Sequence, residues 1–440
     1  MILWISKSWQ LQRAEVGLRL LSRILLLLAF SVTSARGQQV ISSLPSIPET
    51  EIIPPAPENP TPTPGQPSPE GAPPPLAARP PPQPLQWGSV VFHPNLSYHL
   101  AYGTGIQSAP GQAQNTFLNQ VSPGIGASFG THWNLSYLPT LSFYSDPTFR
   151  NTLDQTINLN GETAYEDWTW KFGQTCALTS DPQVQTAQQT DEQDYITTLD
   201  SSYQLNDAAT LNFGAKQNLL YVQNLVGSVG NSLDWSGYGG IDYRWAPSLS
   251  AGAVLGAGYN PVQLGADMVY EQAQARVLWK VAHKVDLTAN GGVEIRQFLA
   301  SSQPQLVSPI SSVTLNYRPF RDTSIAFNSS RTVSSAYYEN LVTQTTGFNL
   351  TLMQALLKRL SLGINAQYVA TDYHSTAGAA VVSPYDGRRD KLASIGASLN
   401  TPFLRHGTAS AFYTYSQNNS NEAGFSYTSN QVGFQLSYRY

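Results

Sequence analysis

The chain has 440 residues and a formal net charge of −4, and only 12% of its residues are charged. That is about half the charged share of an ordinary soluble domain, while the mean hydropathy of −0.22 is too low for a bundle of membrane helices. The charge balance provides no basic surface, so we expect no nucleic-acid partner. The 23 tyrosines and 33 glycines indicate many strands with one apolar face and one polar, largely uncharged face.

Residues 1–37 have the pattern of an export signal. The apolar run Ile24–Val32 is shorter than the roughly 20 residues that cross a bilayer as a helix. Small residues follow it, so we predict cleavage after Ala35 or Gly37. Four basic residues precede the run: Lys7, Arg13, Arg19 and Arg23.

Residues 38–86 are rich in proline, and 17 of the chain's 30 prolines lie between Pro45 and Pro84. Proline fixes φ and removes a backbone donor, so we predict a disordered, extended periplasmic linker rather than a helix or a sheet. At about 3.1 Å per residue, such a segment would reach on the order of 120 Å. Two interpretations stay open: a solvated tether, or a docking segment for a periplasmic partner or the cell wall.

Residues 87–440 alternate between apolar and polar side chains with the period of a β-strand. In the last strand Val432, Phe434 and Leu436 share one parity, whereas Gln431, Gly433 and Gln435 share the other. A period of two with one apolar face is typical of a strand with one buried or lipid-facing side.

The spacing of short turns indicates a repeated hairpin. Eight positions with turn composition are separated by 36 to 46 residues: Thr131, Asp167, Asp207, Pro247, His283, Arg321, Arg359 and Arg405. Each interval holds two strands of about 10 to 13 residues and one longer loop, which is the layout of outer-membrane barrels. Eight turns with both termini at the same end predict eighteen strands. Sixteen is the alternative if the hairpin near Asn115–Phe149 is misread.

We therefore predict an all-β fold, a transmembrane antiparallel up-and-down β-barrel in the outer membrane of a Gram-negative-type bacterium. Both termini would be periplasmic, and the longer loops would lie at the opposite end. Turn-forming residues predict these loops at Gly103–Asn115, Ser180–Gln193, Ser301–Gln305, Ser375–Gly387 and Gln417–Gly424. Closure into a barrel leaves no unpaired strand edge.

Aromatic residues cluster beside the short turns, as in the girdle that outer-membrane barrels place at the membrane interface. The predicted girdle consists of Trp133, Trp168, Trp170, Tyr203, Tyr243, Trp245, Trp279, Tyr317, Phe403, Tyr438 and Tyr440. We expect outer-membrane lipid and the barrel-assembly machinery as partners.

At sixteen to eighteen strands, inward side chains no longer fill the interior, so we predict a water-filled lumen. The charged residues on the polar parity are the pore-lining candidates: Glu162, Lys171, Lys216, Asp242, Arg244, Arg276, Asp286, Glu294, Arg296, Arg318 and Arg439. Both signs occur among them, which indicates no strong preference for anions or cations. The many inward Asn, Gln, Ser and Thr residues suit hydroxylated solutes.

Enzymatic motifs are weak, so no catalytic residue, cofactor or metal site is predicted. Gly126–Gly130 spells the nucleophile-elbow pattern around Ser128, but a second strand follows where that chemistry needs a helix. The acidic residues Asp181, Asp191, Glu192 and Asp194 could offer oxygen ligands to Ca²⁺, although such a loop is more often simply solvated.

The C-terminal stretch Ser416–Tyr427 (SQNNSNEAGFSY) leads into a last strand ending in Ser437–Tyr440, and Tyr317–Ser324 (YRPFRDTS) lies in mid-chain with Arg331 after it. These segments resemble the beta-barrel porin family, type two, and related outer-membrane barrels of exopolysaccharide gene clusters. The resemblance covers roughly residues 90–440. It implies an outer-membrane barrel and transfers no binding or catalytic residue.

Three functions follow as hypotheses. The first is a porin-like channel for passive passage of small polar solutes. The second is an outer-membrane component for export or docking of an extracellular polysaccharide, with the proline-rich segment reaching a periplasmic partner. The third, from a different class, is a barrel-embedded surface lipase, which would need a Ser–His pair.

Overall fold

The computed structural model describes residues 85–223, 231–262, 266–282, 284–299, 301–338, 340–357, 359–376, 383, 385–404 and 406–439. The predicted signal and nearly all of the predicted linker lie outside these residues. So do the girdle residue Tyr440 and the turn positions His283 and Arg405. Within the described residues, no helix is long and apolar enough to cross a membrane.

Eighteen long strands form the wall. They are β2 (Val90–Ala109), β3 (Gln112–Phe129), β4 (Trp133–Tyr144), β5 (Thr152–Tyr165), β6 (Trp168–Thr179), β9 (Asp191–Gln204), β10 (Ala209–Gln223), β11 (Ser232–Ala246), β12 (Leu249–Asn260), β13 (Met268–Ala282), β14 (Val285–Phe298), β15 (Leu306–Phe320), β16 (Thr323–Ser335), β17 (Leu341–Leu357), β18 (Leu360–Ser375), β19 (Arg389–Phe403), β20 (Gly407–Ser420) and β21 (Tyr427–Arg439). Three short strands accompany them: β1 (Leu85–Trp87), β7 (Pro182–Gln183) and β8 (Gln188–Gln189).

The eighteen long strands close into an antiparallel barrel. Each pairs with its neighbours in the chain, and β21 pairs with β2 from Asn95↔Arg439 to Thr104↔Asn430. Closure pairs the edges that an open sheet would expose. The prediction of an eighteen-stranded up-and-down barrel is confirmed, and the alternative of sixteen strands is wrong. Of the short strands, β1 pairs with the start of β2, while β7 and β8 form a small hairpin of their own.

The six predicted turn positions that the structure describes fall between consecutive strands, at the end of the barrel where β2 begins and β21 stops. Most of the long strands exceed the predicted 10 to 13 residues, and their lengths run from 12 residues in β4 to 20 in β2. The predicted loop Gly103–Asn115 is mostly strand, because β2 and β3 continue beyond the rest of the wall and turn only at Pro110 and Gly111. Gly111 has a φ of 77°, a value that favours glycine. Likewise, Gln417–Gly424 is a loop only after Ser420, where β20 ends. Cross-strand pairing overrides local turn composition in both places.

The two faces of the wall differ in polarity. Register partners share a face, and the large exposed apolar side chains fall on the outer parity of their strands, as with Leu153, Trp170 and Leu255. The opposite parity points into the lumen and is mainly polar. The few buried apolar side chains gather inside the loop end of the barrel, where Ala336, Leu341 and Tyr373 form a cluster.

Candidate functional site in the barrel lumen

The eleven predicted pore-lining residues all occupy the parity opposite to the exposed apolar side chains. Arg244, Asp286, Arg318 and Arg439 lie at strand ends beside the short turns. Glu162 and Lys171 face each other across register, 3.2 Å apart and each about half exposed. That these residues line a conducting passage stays a prediction.

The remaining predicted residues lie nearer the middle of the wall, and four of them form two ion pairs. Arg276 Nη1 lies 3.3 Å from Asp242 Oδ2, which also accepts a hydrogen bond from Asn212. Glu294 and Arg296 differ from the rest because they are buried, with 2% and 4% of their surface exposed. Arg296 Nε donates to Glu294 Oε1 at 2.9 Å, and its Nη2 donates to the carbonyl of Val333.

The predicted girdle residues that the structure describes lie on the outer parity beside the short turns. Trp168 stacks on Trp170 with a centroid distance of 5.3 Å and contacts Tyr203 at 4.8 Å, while Tyr243 meets Trp245 edge to face. Neighbouring strands thus contribute to one aromatic surface. Its place at a membrane interface stays a prediction.

The connection between β6 and β9 folds into the lumen; we call residues 180–190 the lumen loop. It contains β7 and β8, and Thr186 and Thr190 within it are completely buried. Their hydroxyls lie 2.7 Å apart, and Ala187 adopts a φ of 53°, which holds the tight turn of the small hairpin. A solvated loop would leave these polar side chains in water, whereas here the barrel encloses them.

The lumen loop reaches the far side of the barrel. Gln183, Val184 and Gln185 enclose a cavity of about 60 Å³ with inward residues of three distant strands, among them Val369 of β18 and Leu392 of β19. Seen around the closed wall, β18 and β19 lie almost opposite to β6 and β9. The lumen loop therefore crosses the lumen rather than standing at the rim.

A buried ion pair holds the tip of the lumen loop; we call Arg388 and Asp390 the latch. The Arg388 side chain is 1% exposed, and its Nε and Nη2 donate to the two oxygens of Asp390 at 3.0 and 2.6 Å. The same guanidinium donates to the carbonyls of Gln185 at 2.9 Å and Val184 at 3.4 Å. The planar guanidinium group of arginine can donate hydrogen bonds to a carboxylate and to backbone carbonyls at the same time.

Aromatic rings enclose the latch. The Arg388 Cζ lies 3.5 Å from the centroid of Phe425 and 4.7 Å from that of Tyr373, in cation–π geometry. A second connection, between β16 and β17, also contacts the lumen loop, because the Tyr337 backbone N–H donates to Gln185 Oε1 at 3.3 Å. Three separate connections thus meet around Gln185.

A set of carboxyl groups lies beneath the lumen loop. Asp181 is 4% exposed, and its Oδ1 has no hydrogen-bond partner among the described residues. Burial, and after it the negative charges of Asp154 and Glu192, raise the pKa of Asp181 to about 8. Glu192 Oε1 is also buried without a partner in the described part of the chain. No group of three or more His, Cys, Asp or Glu residues there has a geometry that could hold a metal ion.

The lumen loop leaves one side of the lumen more open than the other. Inward side chains of β3 and β4, such as Thr116, Gln120 and Ser142, are buried. Those of β10, β11 and β13, such as Lys216 and Gln274, stay partly exposed. We call the inward face of β9–β14 the open wall, because side chains near the middle of these strands stay partly exposed.

Sequence analysis missed the latch and the inward fold of the lumen loop. Arg388 stands in a loop of mixed composition next to a second arginine, and nothing local distinguishes it from an exposed charge. The Ca²⁺ candidates separate, because Asp191 turns outward to Arg150, 2.7 Å away, while Asp181 lies inside. Ser128 of the nucleophile-elbow pattern lies in a strand and donates to Asn134 Oδ1, not to a histidine.

No family model matches the chain, and no curated protein matches it. Among solved structures, Pseudomonas aeruginosa OccK3 (OpdO) is similar over 79% of this chain and 95% of its own, with 13% identity and a TM-score of 0.42. P. aeruginosa OccK2 (OpdF) in complex with glucuronate has 12% identity and a TM-score of 0.42 over 79% and 97% of the two chains. A BenF-like porin from Pseudomonas fluorescens Pf-5 has 10% identity and a TM-score of 0.41 over 79% and 98%. At these identities and TM-scores, the likenesses identify neither a family nor a substrate.

Proposed function

We propose that the chain is an outer-membrane, porin-type channel for the passive passage of small polar solutes. One observation carries the proposal: a closed eighteen-stranded barrel is apolar outside, and its polar lumen is narrowed by the lumen loop that crosses it. A barrel of this strand number is too wide for side chains to fill, so water occupies the rest.

The outer face supports a place in a membrane. Leu153, Val307 and Leu255 expose 52%, 56% and 66% of their surface, and similar side chains recur around the wall. In water each would forgo about 1.5–3 kcal/mol that burial of a large apolar side chain provides. Lipid chains on the outside remove that cost. The girdle residues beside the short turns would then lie at one interface of the bilayer.

The remaining organisation belongs to the same proposal. Residues 1–37 would direct export, residues 38–86 would form the linker, and residues 87–440 would be inserted by the barrel-assembly machinery. Short turns face the periplasm in outer-membrane barrels, which would place both termini there. The linker would then be free to contact a periplasmic partner. The likeness of Ser416–Tyr427 to the type-two beta-barrel porin family is in keeping with this proposal.

The two other hypotheses have weaker support. An extended polysaccharide needs a continuous wide lumen, and the lumen loop crosses it. A lipase would need a serine activated by histidine, whereas Ser128 pairs with an asparagine. We propose no enzymatic activity.

Conductance in planar bilayers tests the proposed function. Purified chain should add current in discrete steps of uniform size, because each inserted barrel opens one fixed passage. Bilayers that stay silent, although the inserted protein is a folded barrel, would contradict a channel.

A further inference from the structure

Tyr238 lies flat on the open wall, about halfway along β11. Its register partner is Gly214 of β10, and a Cβ placed on that glycine would come within 2.1 Å of Tyr238 Cε1. The ring therefore covers a position that only glycine leaves free. The hydroxyl donates to Asp200 Oδ1 of β9 at 2.6 Å, so the side chain spans from its own strand across β10. The side chain remains partly exposed on the lumen side.

Tyr270 of β13 is placed in the same way, and a cationic side chain lies over its ring. A Cβ on Gly258 would lie 2.2 Å from Tyr270 Cζ, so this ring also covers a glycine. Its hydroxyl donates to Asp234 at 2.9 Å, two strands away. The guanidinium of Arg296 lies over the ring, with its Cζ 4.7 Å from the centroid. The ring face is negative and attracts cations, more strongly where water is excluded.

No cation among the described residues occupies the equivalent place at Tyr238. Among the described residues, the cation–π contacts are those of Arg296 and Arg388, and neither involves Tyr238. The nearby Arg276 is directed to Asp242, 3.3 Å away. In both cases the tyrosine ring covers a glycine and the tyrosine hydroxyl donates to a carboxylate. The two differ because a guanidinium lies over the ring of Tyr270 but not over that of Tyr238.

The charges of the open wall favour a cation at this place. Away from the short turns, the inward acids are Glu192, Asp194, Asp200, Asp234, Asp242 and Glu294, and the bases are Lys216, Arg276 and Arg296, so three positive and six negative charges give −3. Arg276 and Arg296 are each paired with one acid. Lys216 lies close enough to Asp194 and Asp234 for Coulombic attraction to both. Asp200 accepts a hydrogen bond from the Tyr238 hydroxyl, while Lys171, its register partner on β6, is directed to Glu162, 3.2 Å away.

We infer that Tyr238 and Asp200 form a binding site for the ammonium or guanidinium group of small organic cations, and that this site makes the channel selective for cations. The inference rests on the proposed function and deepens it by naming a solute class. The cation covers the ring face as Arg296 covers Tyr270, and its N–H groups donate to Asp200. Because side chains of the open wall stay partly exposed, a passing solute can reach this site.

Methylguanidinium and urea are the probes, because urea has nearly the same planar shape without the charge. Methylguanidinium should reduce the single-channel K⁺ current in a concentration-dependent way, and urea should not. Y238L should weaken this block about five- to tenfold, whereas Y238F keeps the ring and should change it less than about twofold. D200N should weaken it and shift the reversal potential in a KCl gradient toward that of a non-selective pore.

G214A tests the geometry without altering the ring, because the added Cβ displaces Tyr238 from the wall. It should weaken block as Y238L does. G291A is the matched control: a Cβ there meets nothing within 4 Å, and the position lies on the outer parity of β14. Equal block by urea and methylguanidinium, block unchanged in Y238L, or anion selectivity of the wild-type chain would each overturn the inference.

Titration calorimetry on the detergent-solubilised full chain separates this inference from the proposed function. Methylguanidinium should bind to the wild-type chain and bind about five- to tenfold more weakly to Y238L, whether or not bilayers conduct. Binding with silent bilayers would contradict the channel and retain the site. Steady conductance without methylguanidinium binding would contradict the site and retain the channel.

Discussion

Arg388 donates two hydrogen bonds to the backbone of the lumen loop from the far side of the barrel. Its guanidinium satisfies Asp390 and the carbonyls of Gln185 and Val184 while three rings cover it. Removing one partner of a buried ion pair costs about 3–5 kcal/mol, because the other charge is left without compensation. The latch therefore joins the lumen loop to the wall on the far side of the barrel.

Replacing the latch arginine should widen the passage. R388M removes the donors to Gln185 and Val184, so the tip of the lumen loop loses its anchor and single-channel conductance should rise. R389M is the matched control, since Arg389 is next to the latch in the chain but is exposed and lies 3.5 Å from Asp372. In the double variant R388M/D390L no carboxylate is orphaned, so conductance should rise with little loss of thermal stability. Unchanged conductance in both latch variants would contradict the anchoring role.

Asp181 gives the lumen loop a dependence on pH. Burial and neighbouring acids raise its pKa from 3.8 to about 8. The raised value means that the inserted position has its full stability below about pH 4 and loses it progressively as pH rises to about 8, where the buried carboxyl ionises. Conductance should therefore increase between pH 5 and pH 9. D181N should flatten that increase, and D286N, beside a short turn, should not. A wild-type conductance that falls over this interval would contradict the assignment.

Among the elements, those features that depend on the local sequence pattern could be predicted. The alternation of Val432, Phe434 and Leu436 predicted the outward face of β21, and the spacing of the turns predicted the number of strands. The lumen loop was not predictable, because its Gln, Thr and Asp residues have the composition of a solvated loop. What fixes it is Arg388, about two hundred residues away in the chain. Tyr238 on Gly214 likewise depends on register between strands, which no local pattern reveals.

The lumen loop can be tested as an element. Replacing residues 182–189 by a short Gly-Ser connection removes β7 and β8 and leaves the ends of β6 and β9 to be joined. The wall should still close, because its strand pairs do not include this segment. Conductance should rise at least as much as in R388M. A barrel that no longer assembles would show that the lumen loop is needed for folding.

The predicted linker belongs outside the barrel in this account. Deleting residues 38–84 should leave barrel assembly and conductance unchanged, since strand pairing in the described chain begins at Leu85. Heat-modifiable migration on gels measures assembly, because a closed barrel resists detergent until it is heated. Loss of the faster-migrating form in the deletion variant would assign the proline-rich segment a role in assembly.

The whole molecule combines a closed wall, an apolar exterior and a lumen that is narrowed by the lumen loop. Eighteen strands fix a width that water can occupy, and the outer parity supplies the surface that lipid covers. The lumen loop then determines how much of that width is available, and a passing solute can meet the exposed side chains of the open wall.

That the chain is a channel narrowed by the lumen loop is best tested by its single-channel conductance in planar bilayers, measured beside that of R388M. We expect discrete steps for the wild-type chain and larger discrete steps for R388M. Silent bilayers for both proteins, with each shown to be a heat-modifiable barrel, would contradict it.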